Sequence, residues 1–153
     1  VNKQPNSDNC FVCGRNNPHG LYMSFYDDGD ATVESHYTVS QYFEGYPGIV
    51  HGGVQAAILD EIIGRVSLID DFHAFMMSVK LDVKYRHPVP IEEPLHIVAI
   101  REQLRGRYAR AVGMIYLDDG TLATEASLKL VRLPKEIHVD GDPARVLGWR
   151  VDG

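Results

Sequence analysis

Cysteine, tryptophan, positive charge and long apolar runs are all scarce in this chain, and each shortage narrows what it can be. Two cysteines among 153 residues make no disulfide framework, so stability has to come from a hydrophobic core, and a reducing compartment is the simpler reading. No apolar run approaches the roughly 20 residues of a membrane-spanning helix. The polar opening Val1 to Asn9 lacks the charged-then-apolar order of a signal peptide. The expectation is a cytoplasmic protein with no membrane partner, a leader upstream of Val1 being left open. Lys and Arg number 15 against 21 Asp and Glu, and the net charge of −6 argues against a general affinity for nucleic acid.

What is present fits one soluble globular domain: 44% hydrophobic and 24% charged residues. Residues 1–19 are rich in Asn, Pro and Gly without a sustained hydrophobic period, which reads as an irregular arm. Leu21 to Tyr26 and Ala31 to Val39 are short apolar and β-branched runs around Asp27-Asp28-Gly29-Asp30, a hairpin signal. Gly53 to Ile69 is too long for an ordinary strand and is expected to be a helix. Four strands follow, Met76 to Arg86, Leu95 to Leu104, Tyr108 to Leu117 and Leu122 to Val131, parted by Pro- and Gly-bearing turns. The division is an arm over 1–19, a main domain over 20–133 and a tail over 134–153. The fold class is α+β: one long central helix wrapped by a curved antiparallel sheet. A single sheet leaves the far side of such a helix short of cover, so at least a homodimer is expected.

The helix carries the candidate chemistry. Leu59, Ile62, Ile63 and Val66 supply bulk, while Gly53, Ala56, Ala57 and Gly64 surround Asp60 at helical spacings, suggesting a helix buried almost all round. His51-Gly52-Gly53 falls at its start, where unpaired amides favour negative charge and can hold a developing oxyanion. Asp60 lies nine residues beyond His51, about 13 Å along the axis. It cannot reach the amides of its own helix directly, whereas an antiparallel helix from a second chain could place its Asp60 opposite them, which suggests composite sites at a dimer interface. Glu61 is the rival acid. Adjacent helix positions diverge by about 100°, so Glu61 is expected to face a polar partner of its own or the dimer interface.

Phe43-Glu44-Gly45-Tyr46-Pro47-Gly48-Ile49-Val50-His51-Gly52-Gly53 followed by Asp60 resembles the hotdog-fold thioesterase superfamily, in particular its phenylacetyl-CoA thioesterase-like branch. Cys10-Phe11-Val12-Cys13-Gly14, Asn17-Pro18, Gly20-Leu21 and Val83-Lys84-Tyr85-Arg86-His87-Pro88-Val89-Pro90 match the same branch, over roughly residues 10–133. The resemblance implies an acyl-CoA thioester hydrolase in which the Gly52 amide, with Gly53 nearby, polarises the carbonyl and His51 orients the loop or the substrate. It further implies that Asp60 serves as general base on water or as nucleophile, and that Ser78 positions the water. The active sites would lie at the interface of a homodimer or homotetramer. Two positions depart from the pattern: Gly45 stands where many relatives have Asn, and Gly64 where one benzoyl-type subgroup has Thr. A non-catalytic acyl-CoA-binding or regulatory module is the alternative.

Fainter signals remain. Arg86, Arg105 and Arg107 suit the phosphates of CoA, which is substrate rather than cofactor; no separate cofactor is expected. Cys10 and Cys13 could supply half a zinc site with His19 as a third ligand. A closed site needs four ligands and the chain has no further Cys, so a metal-free arm is expected. Tyr85 and Trp149 read as packing residues, and His36, His73, His87, His96 and His138 show no metal-ligand spacing.

Overall fold

The computed structural model describes residues 1–133 and 141–152, with Pro143 described by its backbone alone. The tail expected over 134–153 therefore falls partly outside the described residues. In chain order the elements are β1 (Asn2–Lys3), β2 (Tyr26–Asp27), β3 (Thr32–Thr38), α1 (Gly52–Gly64), β4 (Met76–Tyr85), β5 (Pro94–Arg105), β6 (Tyr108–Tyr116), β7 (Leu122–Arg132) and the one-turn α2 (Pro143–Val146). The strands form one antiparallel sheet in the order β1-β2-β3-β5-β6-β7-β4. This is the hotdog architecture, with α1 packed against β3 to β7.

The hairpin forms where expected. The Asp28 carboxylate accepts the N–H groups of Asp30, Ala31 and Thr32, which pull its pKa down and close the turn. The strand expected over Leu21 to Tyr26 shrinks to the two residues of β2. Tyr22 has a positive φ of 49°, and the N–H groups of Leu21 and Met23 bond the carbonyls of Phe11 and Val12 in the arm instead. Arm and strand compete for the same donors, and the arm wins them.

Helix α1 stops at Gly64 and continues as a 3-10 turn over Arg65–Leu68, so the expected helix is split in two. Ile58, Leu59, Ile62, Ile63 and Val66 are fully buried against the sheet. Gly113 on β6 lets the helix sit this low, because a Cβ there would lie 2.7 Å from Ile63 Cγ1. The expectation of burial all round does not hold in the single chain. Gly53 is exposed and Ala56, Ala57, Asp60 and Gly64 are only half-buried, because one sheet covers one side of a helix.

The mouth of α1 is tied to the sheet by Gln55, which is buried. Its Nε2 donates to the Val50 carbonyl at 3.0 Å and its Oε1 accepts from Thr124 Oγ1 at 2.6 Å. The far end is tied by Arg65, 2% exposed, whose guanidinium donates to Glu61 and to the Pro5 carbonyl and lies over the rings of Phe25 and Trp149. Trp149 is buried, as expected of a packing residue, and its Nε1 donates to the Phe72 carbonyl.

Candidate active site

Helix α1 opens with His51 as its cap, in extended geometry at φ −54° and ψ 133°. The His51 carbonyl accepts from Val54 and Gln55, and its ring Nδ1 accepts from Gly53 N–H at 2.8 Å. Of the first amides only that of Gly52 has no partner among the described residues. The free amide is the one named from the resemblance, while that of Gly53 is taken up by the His51 ring. Gly53 contributes space rather than a donor, since a Cβ there would stand 3.1 Å from the His51 ring. Gly45, in the position where relatives carry Asn, lies directly against His51, its Cβ position 3.3 Å from His51 Cα.

The free Gly52 amide belongs to a cleft of about 600 Å³ lined by Gly45, Tyr46, His51, Gly52, Tyr85 and Arg86 among others. Tyr85 does more than pack: its hydroxyl donates to the Gly52 carbonyl at 2.8 Å and its ring sets one wall. Arg86 is held by Glu125 at 2.7 Å, a pairing that lowers the Glu125 pKa and raises that of Arg86.

Asp60 sits in a second cavity of about 400 Å³ that shares no lining residue with the first. It is half-exposed, and its Oδ1 accepts from Ser78 Oγ at 2.5 Å. Ser78 comes from β4 at a bulge, where the register against β7 shifts between Ser78 and Lys80. A bulge turns a side chain out of the regular alternation, which is a local way to aim one group. Asp60 and Ser78, whose roles came from the family resemblance, are thus in contact, and both stand away from Gly52. Glu61 has the polar partner expected of it, with Oε2 2.8 Å from Arg65 Nε.

Arg105 and Arg107 flank the β5–β6 turn, and among the described residues neither has a carboxylate partner. Ser78 faces Leu130, Leu130 faces Ala109 and Ala109 faces Leu104, so this basic turn lies at the Asp60 end of the sheet, not at the Gly52 end.

Two groupings escaped the sequence. Cys10, Cys13 and Glu61 gather on one side of the Asp60 cavity, with Glu61 rather than His19 as the third member. The hydrogen bond between the two thiols holds Cys13 down to about 6 and, with burial, pushes Cys10 up. His36 and His96 face each other across β3 and β5, stacked at 4.4 Å, with Glu34 2.9 Å from His96. Strand register alone brings these together, and linear spacing does not reveal it.

One helix laid across a wrapped antiparallel sheet defines a hotdog protein. The thioesterase superfamily model matches residues 47–124, and the chain belongs to that superfamily. It is 28% identical over 119 residues to the acyl-coenzyme A thioesterase THEM4 of Mus musculus, covering 75% of this chain and 49% of that protein. The chain thus spans about half the length of the curated relatives it matches. A crystal structure of a thioesterase superfamily protein is 27% identical with a TM-score of 0.71, covering 80% of this chain and 62% of that one. A Streptococcus mutans protein bound to acetyl CoA shares the fold at 15% identity and a TM-score of 0.67, covering 74% of this chain and 90% of its own.

Proposed function

We propose that the chain hydrolyses an acyl-CoA thioester to the free acid and CoA, at sites each shared between two copies. The observation that carries this reading is Asp60: a half-exposed carboxylate in a cavity, one oxygen held by Ser78 and no partner for the other among the described residues. Such a group is positioned to take a proton from water. The water oxygen attacks the carbonyl carbon, the carbonyl oxygen gains charge against the Gly52 N–H, and the intermediate collapses with loss of the C–S bond. The protonated Asp60 returns its proton to the departing sulfur. The steps need no metal.

The shared site follows from distance. Asp60 stands eight helical steps beyond Gly52, roughly 12 Å, and the two lie in different cavities. The uncovered face of exposed Gly53 and half-buried Ala56, Ala57, Asp60 and Gly64, together with the outer edge of β4, supports pairing with a second copy. An antiparallel pairing sets the mouth of one copy against the Asp60 end of the other. It also brings Arg105 and Arg107 of that second copy to the side where Arg86 lies, a basic rim suited to the phosphates of CoA. The THEM4 relatives, named as acyl-coenzyme A thioesterases, and the acetyl CoA bound to a protein of this fold support the substrate class.

The test is thiol release from a panel of acyl-CoAs, run beside a thermal-shift titration with the same compounds. Turnover that disappears in Asp60→Asn supports the reading. Ligand-induced stabilisation with no turnover on any acyl-CoA would favour the non-catalytic binding module.

A further inference from the structure

Cys10, Cys13 and Glu61 have no part in the proposed hydrolysis, yet one donor atom from each lies within 4.8 Å of the others. We propose that these three residues bind a zinc ion, its fourth position taken by water from the adjoining cavity. The inference stands whether or not Asp60 is the hydrolytic base.

The donors suit the metal. Two thiolates and a carboxylate select a borderline-soft, tetrahedral ion over magnesium or calcium. Tetrahedral bonds of about 2.3 Å to sulfur and 2.0 Å to oxygen set the sulfur and oxygen about 3.5 Å apart. Cys10 Sγ lies 3.6 Å from Glu61 Oε1. All three side chains line the cavity of about 400 Å³, which has room for a water as fourth ligand.

The surroundings hold the donors in place. Gly14 N–H bonds the Cys10 carbonyl at 2.8 Å and Val12 N–H points to Cys10 Sγ at 3.4 Å, so the backbone folds around the first sulfur. Only glycine fits at 14, because a Cβ would stand 2.4 Å from the Cys10 oxygen. Ser7 Oγ accepts the Cys10 N–H and lies 3.5 Å from Cys13 Sγ, leaving its proton for that sulfur. Arg65 grips the other Glu61 oxygen, the kind of outer contact that orients a ligating carboxylate. Charge closes as well. Two thiolates and Glu61 carry three negative charges, which a divalent ion and Arg65 cancel in a region where Cys13 is 1% and Arg65 2% exposed.

Binding would clamp the arm to α1 at the residue beside Asp60. The experiment titrates the reduced, chelator-treated full chain with cobalt(II) and follows the thiolate-to-cobalt charge-transfer band. One equivalent per chain should saturate the band, and zinc should abolish it. Cobalt held by Glu34, His36 and His96 gives no such band, so that group does not confuse the reading. Cys13→Ser should remove the band, Glu61→Gln should weaken binding roughly tenfold or more, and His19→Ala should leave it unchanged. If Cys13→Ser does not fold, the wild-type and Glu61→Gln titrations still decide. Absence of a sulfur band in the folded, reduced wild type, or a Glu61→Gln chain that binds as tightly as wild type, overturns the proposal.

Discussion

The two ends of α1 are built differently. The mouth is assembled largely from one stretch of chain, with Gly45, His51, Gly52 and Gln55 close in sequence, while Tyr85, Arg86 and Thr124 are among those arriving from afar. The far end gathers Ser7, Cys10, Glu61, Arg65, Ser78 and Trp149, whose positions span most of the chain. Local construction gives the mouth a backbone donor fixed by helix geometry. Distant construction gives the other end side chains whose aim depends on packing. A hydrolytic site that needs both ends needs both kinds of order.

The largest expected effect comes from removing the acid. Asp60→Asn keeps size and hydrogen bonding to Ser78, so kcat should fall by roughly 10²–10⁴ with little change in Tm. Wild-type turnover in that variant would dissolve the contrast between the ends. Next is the donor. Pro is tolerated as the first helical residue, and His51 already has the extended backbone that precedes Pro, so Gly52→Pro deletes the one free amide while sparing the helix. A loss of about a hundredfold in kcat is expected. Mixing the two inactive variants after unfolding and refolding sharpens the comparison: if each site borrows one end from each chain, about a quarter of the sites regain both groups. No recovery in the mixture would place both ends within a single chain.

Stability separates the ends too. Arg65→Ala strips a buried guanidinium from Glu61, Pro5 and two aromatic rings and should cost roughly 3 kcal/mol in denaturant unfolding. Ser78→Ala removes a hydrogen bond to a charged group, worth about tenfold in kcat with KM nearly steady. Gly113→Ala pushes against Ile63 in the centre of the sheet and should cost about 1–2 kcal/mol, affecting both ends alike.

Much of the sheet could be read from sequence, since Pro and Gly punctuate the strands and the alternation after Met76 is regular. The Leu21 to Tyr26 strand could not, because nothing local tells that its donors go to Phe11 and Val12. At the site, the helix start and Asp60 were visible as glycines and an acid ringed by small residues at helical spacing. The capture of the Gly53 amide by the His51 ring was not, because it depends on the rotation of that ring. Glu61 was set aside as a rival to Asp60, and its nearness to Cys10 appears only when the arm is laid along α1. Three-dimensional return of the chain, not composition, made those pairings.

Asn6 and Arg150 join in a β-bridge, and Arg15 fastens Asp8 to Asp152 beside it. An encounter between positions so far apart along the chain is among the most costly in entropy, so it should form late in folding and open early in unfolding. Trp149, which covers Arg65, is carried on that closing segment. Until that segment docks, the Arg65 guanidinium that grips Glu61 lies open to water on the Trp149 side, so this end of α1 should be the last part of the fold to set.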